Sequence, residues 1–154
     1  MKKEFDTIQV HVAAEHPETG RMLYLLLKRS ADIDVYPSLW QVITGRIEPG
    51  ESALNAAIRE LKEESGFAAE KIWCLPFVTS FFDPYQDMIK FAPVFGVISE
   101  FSEPELSEEH SDFAWLSYDS AYERLLLPSH REGTQCFREN VILRKNRDMF
   151  RIKL

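Results

Sequence analysis

Residues Gly45 to Phe67 read GRIEPGESALNAAIRELKEESGF and contain four glutamates, Glu51, Glu60, Glu63 and Glu64. At 3.6 residues per turn, positions 60, 63 and 64 stand at i, i+3 and i+4, so their carboxylates share one helix face. Like charges at that spacing repel by a few tenths of a kcal/mol per pair. Gly66 reads as the helix stop, which puts the cluster in the last turns, where the macrodipole disfavours anions. A cluster penalised twice calls for a counter-charge, and a divalent cation supplies it.

The elements that must position these carboxylates are legible on both sides. Ser52 is placed to cap the helix, and Leu54, Ala57, Ile58 and Leu61 recur as its apolar stripe, roughly opposite the glutamates. Ala53 and Ala56 lie on the glutamate side, leaving that face uncrowded. Pro49-Gly50 turns the preceding loop, and Gly45 lets backbone approach a ligand closely. Upstream, Phe5 to Ala13 alternates Ile8, Val10 and Val12 as a strand, and Met22 to Leu27 is a continuous apolar run suited to a buried strand. Trp40 to Ile43 is a short strand entering Gly45. Downstream, strands are expected at Ile72 to Phe82, Lys90 to Val97 and Phe113 to Leu116. Helices are expected at Tyr118 to Leu127 and at Thr134 to Asn146. Mixed strands and helices without a repeat or an internal boundary predict one layered α/β (α+β) domain over residues 1–154.

Composition narrows the partners. The chain has 154 residues, 18 basic against 25 acidic, for a net charge of −7. That balance argues against nucleic-acid or membrane-surface binding, which need a basic face. No apolar run is long enough to cross a bilayer, and the start MKKEFDTIQV lacks the apolar core of a secretory leader. Cys74 and Cys136 are isolated, reading as reduced thiols of a cytoplasmic protein, with a single long-range disulfide as the alternative and Cys74 a small core residue.

The spacing Gly-x5-Glu-x7-Arg-Glu-Leu-x-Glu-Glu-x-Gly-Phe from Gly45 to Phe67 resembles the Nudix box at every defining position. The strand order around it also resembles the Nudix fold, a mixed β-sheet sandwiched between helices. The resemblance implies a hydrolase that cuts the pyrophosphate bond of a nucleoside diphosphate linked to another group, using Mg2+ or Mn2+. It implies Glu60 and Glu64 as principal metal ligands, with Glu63 helping, the Gly45 carbonyl as a further ligand and Glu51 as an outer contributor. It makes Arg59 the residue that orients the Glu60 carboxylate. A homodimer is compatible with it.

Two flanking runs bear on substrate. Trp40-Gln41-Val42-Ile43-Thr44-Gly45 and Glu109-His110-Ser111-Asp112-Phe113-Ala114-Trp115-Leu116 resemble dihydroneopterin triphosphate and deoxynucleoside triphosphate pyrophosphohydrolases. The second match makes Glu109 a loop carboxylate that reaches back to the box, as ligand or general base, with a box glutamate as the other candidate base. Trp40 and Tyr85 are candidates for stacking on a base or pterin, and Arg29, ending a strand, for reaching phosphates. The implied substrate is a small nucleoside or pterin polyphosphate. ADP-ribose, an ADP-sugar or a dinucleoside polyphosphate is the alternative, and a non-catalytic nucleotide sensor a third reading.

Overall fold

In the computed structural model, which describes residues 2–154 with side chains from Glu4 onward, nine strands form one mixed sheet. They are β1 (Lys2–Glu4), β2 (Thr7–Glu15), β3 (Met22–Arg29), β4 (Trp40–Gln41), β5 (Ile43–Arg46), β6 (Ile72–Asp83), β7 (Met88–Ser99), β8 (His110–Leu116) and β9 (Arg151–Ile152). Three helices accompany them: α1 (Ala53–Ser65), α2 (Tyr118–Arg124) and α3 (Pro128–Phe137).

Strand β2 is the organiser. On one side it pairs parallel with β7 from Gln9 to Ala14. On its other side it changes partner midway, taking β5 antiparallel at Thr7 to Val10 and β3 antiparallel at Ala13 to Glu15. The ladder therefore splays between β5 and β3. Helix α1 covers β5 and one face of the sheet, while α2 and α3 cover the other.

Alternating residues feed two cores. Ile8, Val10 and Val12 join Leu25, Leu27, Ala57 and Leu61 beneath α1. Ala13, Tyr24 and Leu26 join Trp73, Leu125 and Phe137 on the opposite face. A strand covered on both faces needs no polar alternation, which explains the apolar run in β3. No helix among the described residues is long and apolar enough to cross a membrane.

Several boundaries differ from the sequence reading. The expected helix at Thr134 to Asn146 instead begins at Pro128 and passes into a π-helical turn, Arg138–Ile142. Proline with its preset φ starts a helix well, and Gly133 lies inside this helix rather than ahead of it. A Cβ at Gly133 would overlap the side chains of Gln9 and His11, so its absence lets α3 sit against β2. Cys74 is exposed, not a core residue, because the register of β6 slips between Cys74 and Val78 and the buried side chains there are Trp73 and Leu75. Both cysteines are free thiols.

Candidate active site

Helix α1 has the expected ends. Ser52 Oγ accepts from the Asn55 N–H at 3.1 Å, and Gly66 closes the helix at φ 77°, donating its N–H to the Lys62 carbonyl. Its faces are disposed differently from the projected wheel. Leu54 and Ile58 are only partly buried, whereas Ala56 is fully buried and Glu64 is 4% exposed. The Ala56, Glu60 and Glu64 row turns inward because α1 packs over the splay, where β5 offers glycine rather than a bulky side chain. A Cβ at Gly45 would overlap the carboxyl end of Glu60, so the strand and the carboxylate share that space only because residue 45 has none.

Arg59 ties the glutamates together. Its Nε and Nη2 donate to the two oxygens of Glu51 at 2.8 and 2.9 Å, and Nη1 donates to Glu60 at 2.8 Å and to Glu63 at 3.3 Å. Nη2 also donates to the Arg46 carbonyl at 2.8 Å, anchoring the fork to β5. These bonds hold the Glu51 carboxyl down at about 2. Burial raises Glu60 above the ordinary carboxylate range, with Arg59 pulling against it.

Glu64 has no such partner. Its Oε2 is buried without a hydrogen bond. Burial pushes this carboxyl up to about 9, and the charges of Glu60 and Glu109 add to the rise while Arg29 opposes it. An acid held in that state is destabilised in its ionised form and has an oxygen to offer a cation. Among the described residues, no three His, Cys, Asp or Glu side chains already converge with ligand spacing. The guanidinium of Arg59 lies among three of the carboxylates instead. The donor set is nonetheless all-oxygen and anionic, with an orphaned buried carboxylate oxygen on Glu64 and the Glu60 carboxyl seated against Gly45, and it suits a hard divalent ion.

The raised Glu64 has a measurable consequence. In chelator-treated protein the folded state retains the Glu64 proton up to about pH 9, whereas the unfolded chain loses it near the ordinary value. The folded state therefore binds more protons across that window, and stability falls as pH rises. Burial lowers His11 to about 3 and His110 and His130 to about 4, so all three are neutral when folded and contribute little slope above pH 7. Unfolding free energy between pH 7 and 9 is expected to drop by about 1 kcal/mol per pH unit. Glu64→Gln should flatten that slope, as followed by urea titration at several pH values. An unchanged slope in the variant would assign it elsewhere.

Gly45, Arg29 and Arg46 also line a cavity of about 420 Å³ between β2, β5, β6 and the start of α3. Arg29 is steadied by donating its Nε to the Val35 carbonyl at 2.9 Å. Phe81 and Phe82 supply apolar wall. Glu109 is exposed in the loop before β8, close enough for its charge to act on both Glu60 and Glu64.

Two expected substrate residues are not brought to this cavity. Tyr85 is 86% exposed in the turn between β6 and β7. Trp40 packs beside the second core with the Arg124 guanidinium 5.0 Å from its ring centroid. In their place the cavity presents Gln9, Gln41, Thr79 and His130, which the sequence reading missed. The available signal was Gln9 and His11, two polar residues on one face of a strand whose other face is wholly apolar.

The sequence matches the NUDIX domain family over residues 8–137. It is 34% identical over 104 residues to a nucleoside triphosphatase NudI of Klebsiella pneumoniae subsp. pneumoniae, covering 60% of this chain and 71% of that protein. Among solved structures it resembles the E. coli dihydroneopterin triphosphate pyrophosphohydrolase, with TM-score 0.72 and 22% identity over 89% of this chain and 99% of the other. It also resembles the NUDIX domain of Shewanella oneidensis NrtR complexed with ADP ribose, with TM-score 0.74, 18% identity and 90% and 89% coverage.

Proposed function

This chain belongs to the Nudix family and is a Nudix hydrolase, and on that premise we propose that it cleaves a nucleoside or pterin triphosphate to the monophosphate and inorganic pyrophosphate. The observation that carries the reading is Glu64, a buried carboxylate with an orphaned oxygen, one helical turn from Glu60, whose own carboxyl end sits against the cavity-lining Gly45. The nucleoside triphosphatase relative supports the triphosphate substrate.

Glu60 and Glu64, helped by Glu63 and the Gly45 carbonyl, would hold Mg2+ or Mn2+. When bound, such an ion would offset phosphate charge and stabilise the charge developing on the phosphoryl oxygens. Arg59 keeps the Glu60 carboxylate aimed at β5. Arg29, with one N–H spent on Val35, has the rest of its fork for phosphate oxygens. Water attacks one phosphorus, the bond to the bridging oxygen breaks, and pyrophosphate departs. Glu109, exposed and with no ion-pair partner among the described residues, takes the proton from that water and returns it to solvent.

A substrate panel with magnesium chloride tests the reading. Nucleoside triphosphates or dihydroneopterin triphosphate are expected to yield stoichiometric inorganic pyrophosphate. Turnover of ADP-ribose, an ADP-sugar or a dinucleoside polyphosphate in preference to every triphosphate would overturn it in favour of that substrate class. Nucleotide binding without turnover of any panel member would make the protein a sensor.

A further inference from the structure

One wall of the cavity has its hydrogen-bonding polarity fixed by a relay behind it. Thr134 Oγ1 donates its only proton to the His130 carbonyl at 2.8 Å. Its lone pairs are then what face His11 Nδ1 at 3.3 Å, so Nδ1 carries the imidazole proton. His11 is buried and neutral, which leaves Nε2 a bare acceptor. Gln9 lies 2.7 Å from that nitrogen through its own Nε2 and must donate to it. The second amide hydrogen goes to the Ser129 carbonyl at 3.2 Å. Both hydrogens are spent on the α3 side, where Gly133 makes room for them. Gln9 Oε1 remains, a fixed acceptor on a residue that lines the cavity.

His130 is fixed in the opposite sense. The break between β4 and β5 leaves the Val42 N–H outside the ladder, and it donates to His130 Nδ1 at 3.4 Å. Neutral His130 then carries its proton on Nε2, a donor on a second residue lining the same cavity. Thr79, 3% exposed, lines it as well, and its Oγ1 has no partner among the described residues. Phe81 and Phe82 provide the flat apolar surface a ring needs.

We propose that Gln9 Oε1 and His130 Nε2–H read the edge of the substrate's heterocycle, accepting from a ring-edge N–H and donating to the neighbouring acceptor atom. The inference rests on the nucleotide reading above and names the residues that would give it base specificity. A heterocycle edge carrying an adjacent donor and acceptor is the shared chemistry. Lactam edges (guanine, uracil, pterin) and amidine edges (adenine, cytosine) both present one. His11 and Thr134 are positioning residues that hold the Gln9 amide in its orientation.

The test is binding, so it stands apart from turnover. Affinities of guanosine, uridine, adenosine and cytidine 5′-monophosphates are compared with that of ribose 5-phosphate by calorimetry. At least one base class is expected to bind about tenfold or more tightly than ribose 5-phosphate. Gln9→Met should reduce that ratio about tenfold, and methylation of the guanine N1 should do the same where the lactam class is preferred. Gln9→Met orphans His11 Nε2, so His130→Asn serves as a second variant, because its carbonyl oxygen can still accept from the Val42 N–H while the Nε2 donor is lost. The base preference should fall there too. A base preference that survives in the folded variants, or monophosphates that bind no better than ribose 5-phosphate, would overturn the proposal. Failure of every triphosphate to turn over, with the base preference intact, would overturn the triphosphate reading and leave this one standing.

Discussion

Replacing Glu60 with glutamine is expected to lower turnover by about 10³-fold or more, with the melting temperature unchanged or slightly raised. Each tenfold loss of rate corresponds to about 1.4 kcal/mol of transition-state stabilisation, and an ion-held phosphoryl group accounts for several. Glutamine keeps the shape of Glu60 beside Gly45 and a carbonyl oxygen for Arg59 Nη1. It removes the charge. That charge is a cost to the folded protein, since burial, Glu63 and Glu109 all work against it. Arg59 keeps its paired bonds to Glu51, so the fork does not collapse. The measurements are pyrophosphate release under saturating magnesium and a thermal melt in chelator. Full activity in a folded variant would remove Glu60 from the site.

How much of this was readable in advance follows from what each residue depends on. Caps and stops are local, so Ser52 and Gly66 are found where their chemistry puts them. The box spacing is local as well, and it located the glutamates and Arg59. What escaped is long-range. A helical wheel cannot say that β2 changes partner after Val10 and opens a splay for α1, so it placed the glutamates opposite the core, and Glu64 is buried. The start of α3 at Pro128 depended on Gly133 fitting against Gln9 and His11, residues more than 120 positions earlier. His130 escapes the sequence for the same reason: its partner is the Val42 N–H across the sheet. Tyr85 and Trp40 are aromatics near the right motifs, and proximity in sequence does not decide where the chain folds them. The turn leaves one in solvent, and the second core with Arg124 holds the other.

Gly45→Ala separates stability from activity by displacing the Glu60 carboxylate rather than by removing its charge. The atoms a Cβ at position 45 would meet are Cγ, Cδ and Oε1 of Glu60. These are the far end of a flexible side chain, not backbone, so the fold can yield by rotating Glu60 away. Gly45 does not occupy the left-handed region of φ, and alanine carries no backbone strain there. The expected cost in stability is therefore small, about 1 kcal/mol or less, within the range of an off-rotamer adjustment. The catalytic cost is not small. Rotation takes the Glu60 carboxylate off the space it shares with β5 and breaks its bond to Arg59 Nη1, while Arg59 stays on Glu51. Misplacement of a reacting group by about 1 Å costs on the order of 10²-fold, and Glu60 must move by more than that. Turnover is expected to fall at least 10²-fold with a melting temperature within a few degrees of wild type. Magnesium should also protect the variant less against thermal unfolding than it protects the wild type. An unfolded variant would mean that Gly45 is needed for packing, and a folded, fully active one would mean that Glu60 does not work from beside it.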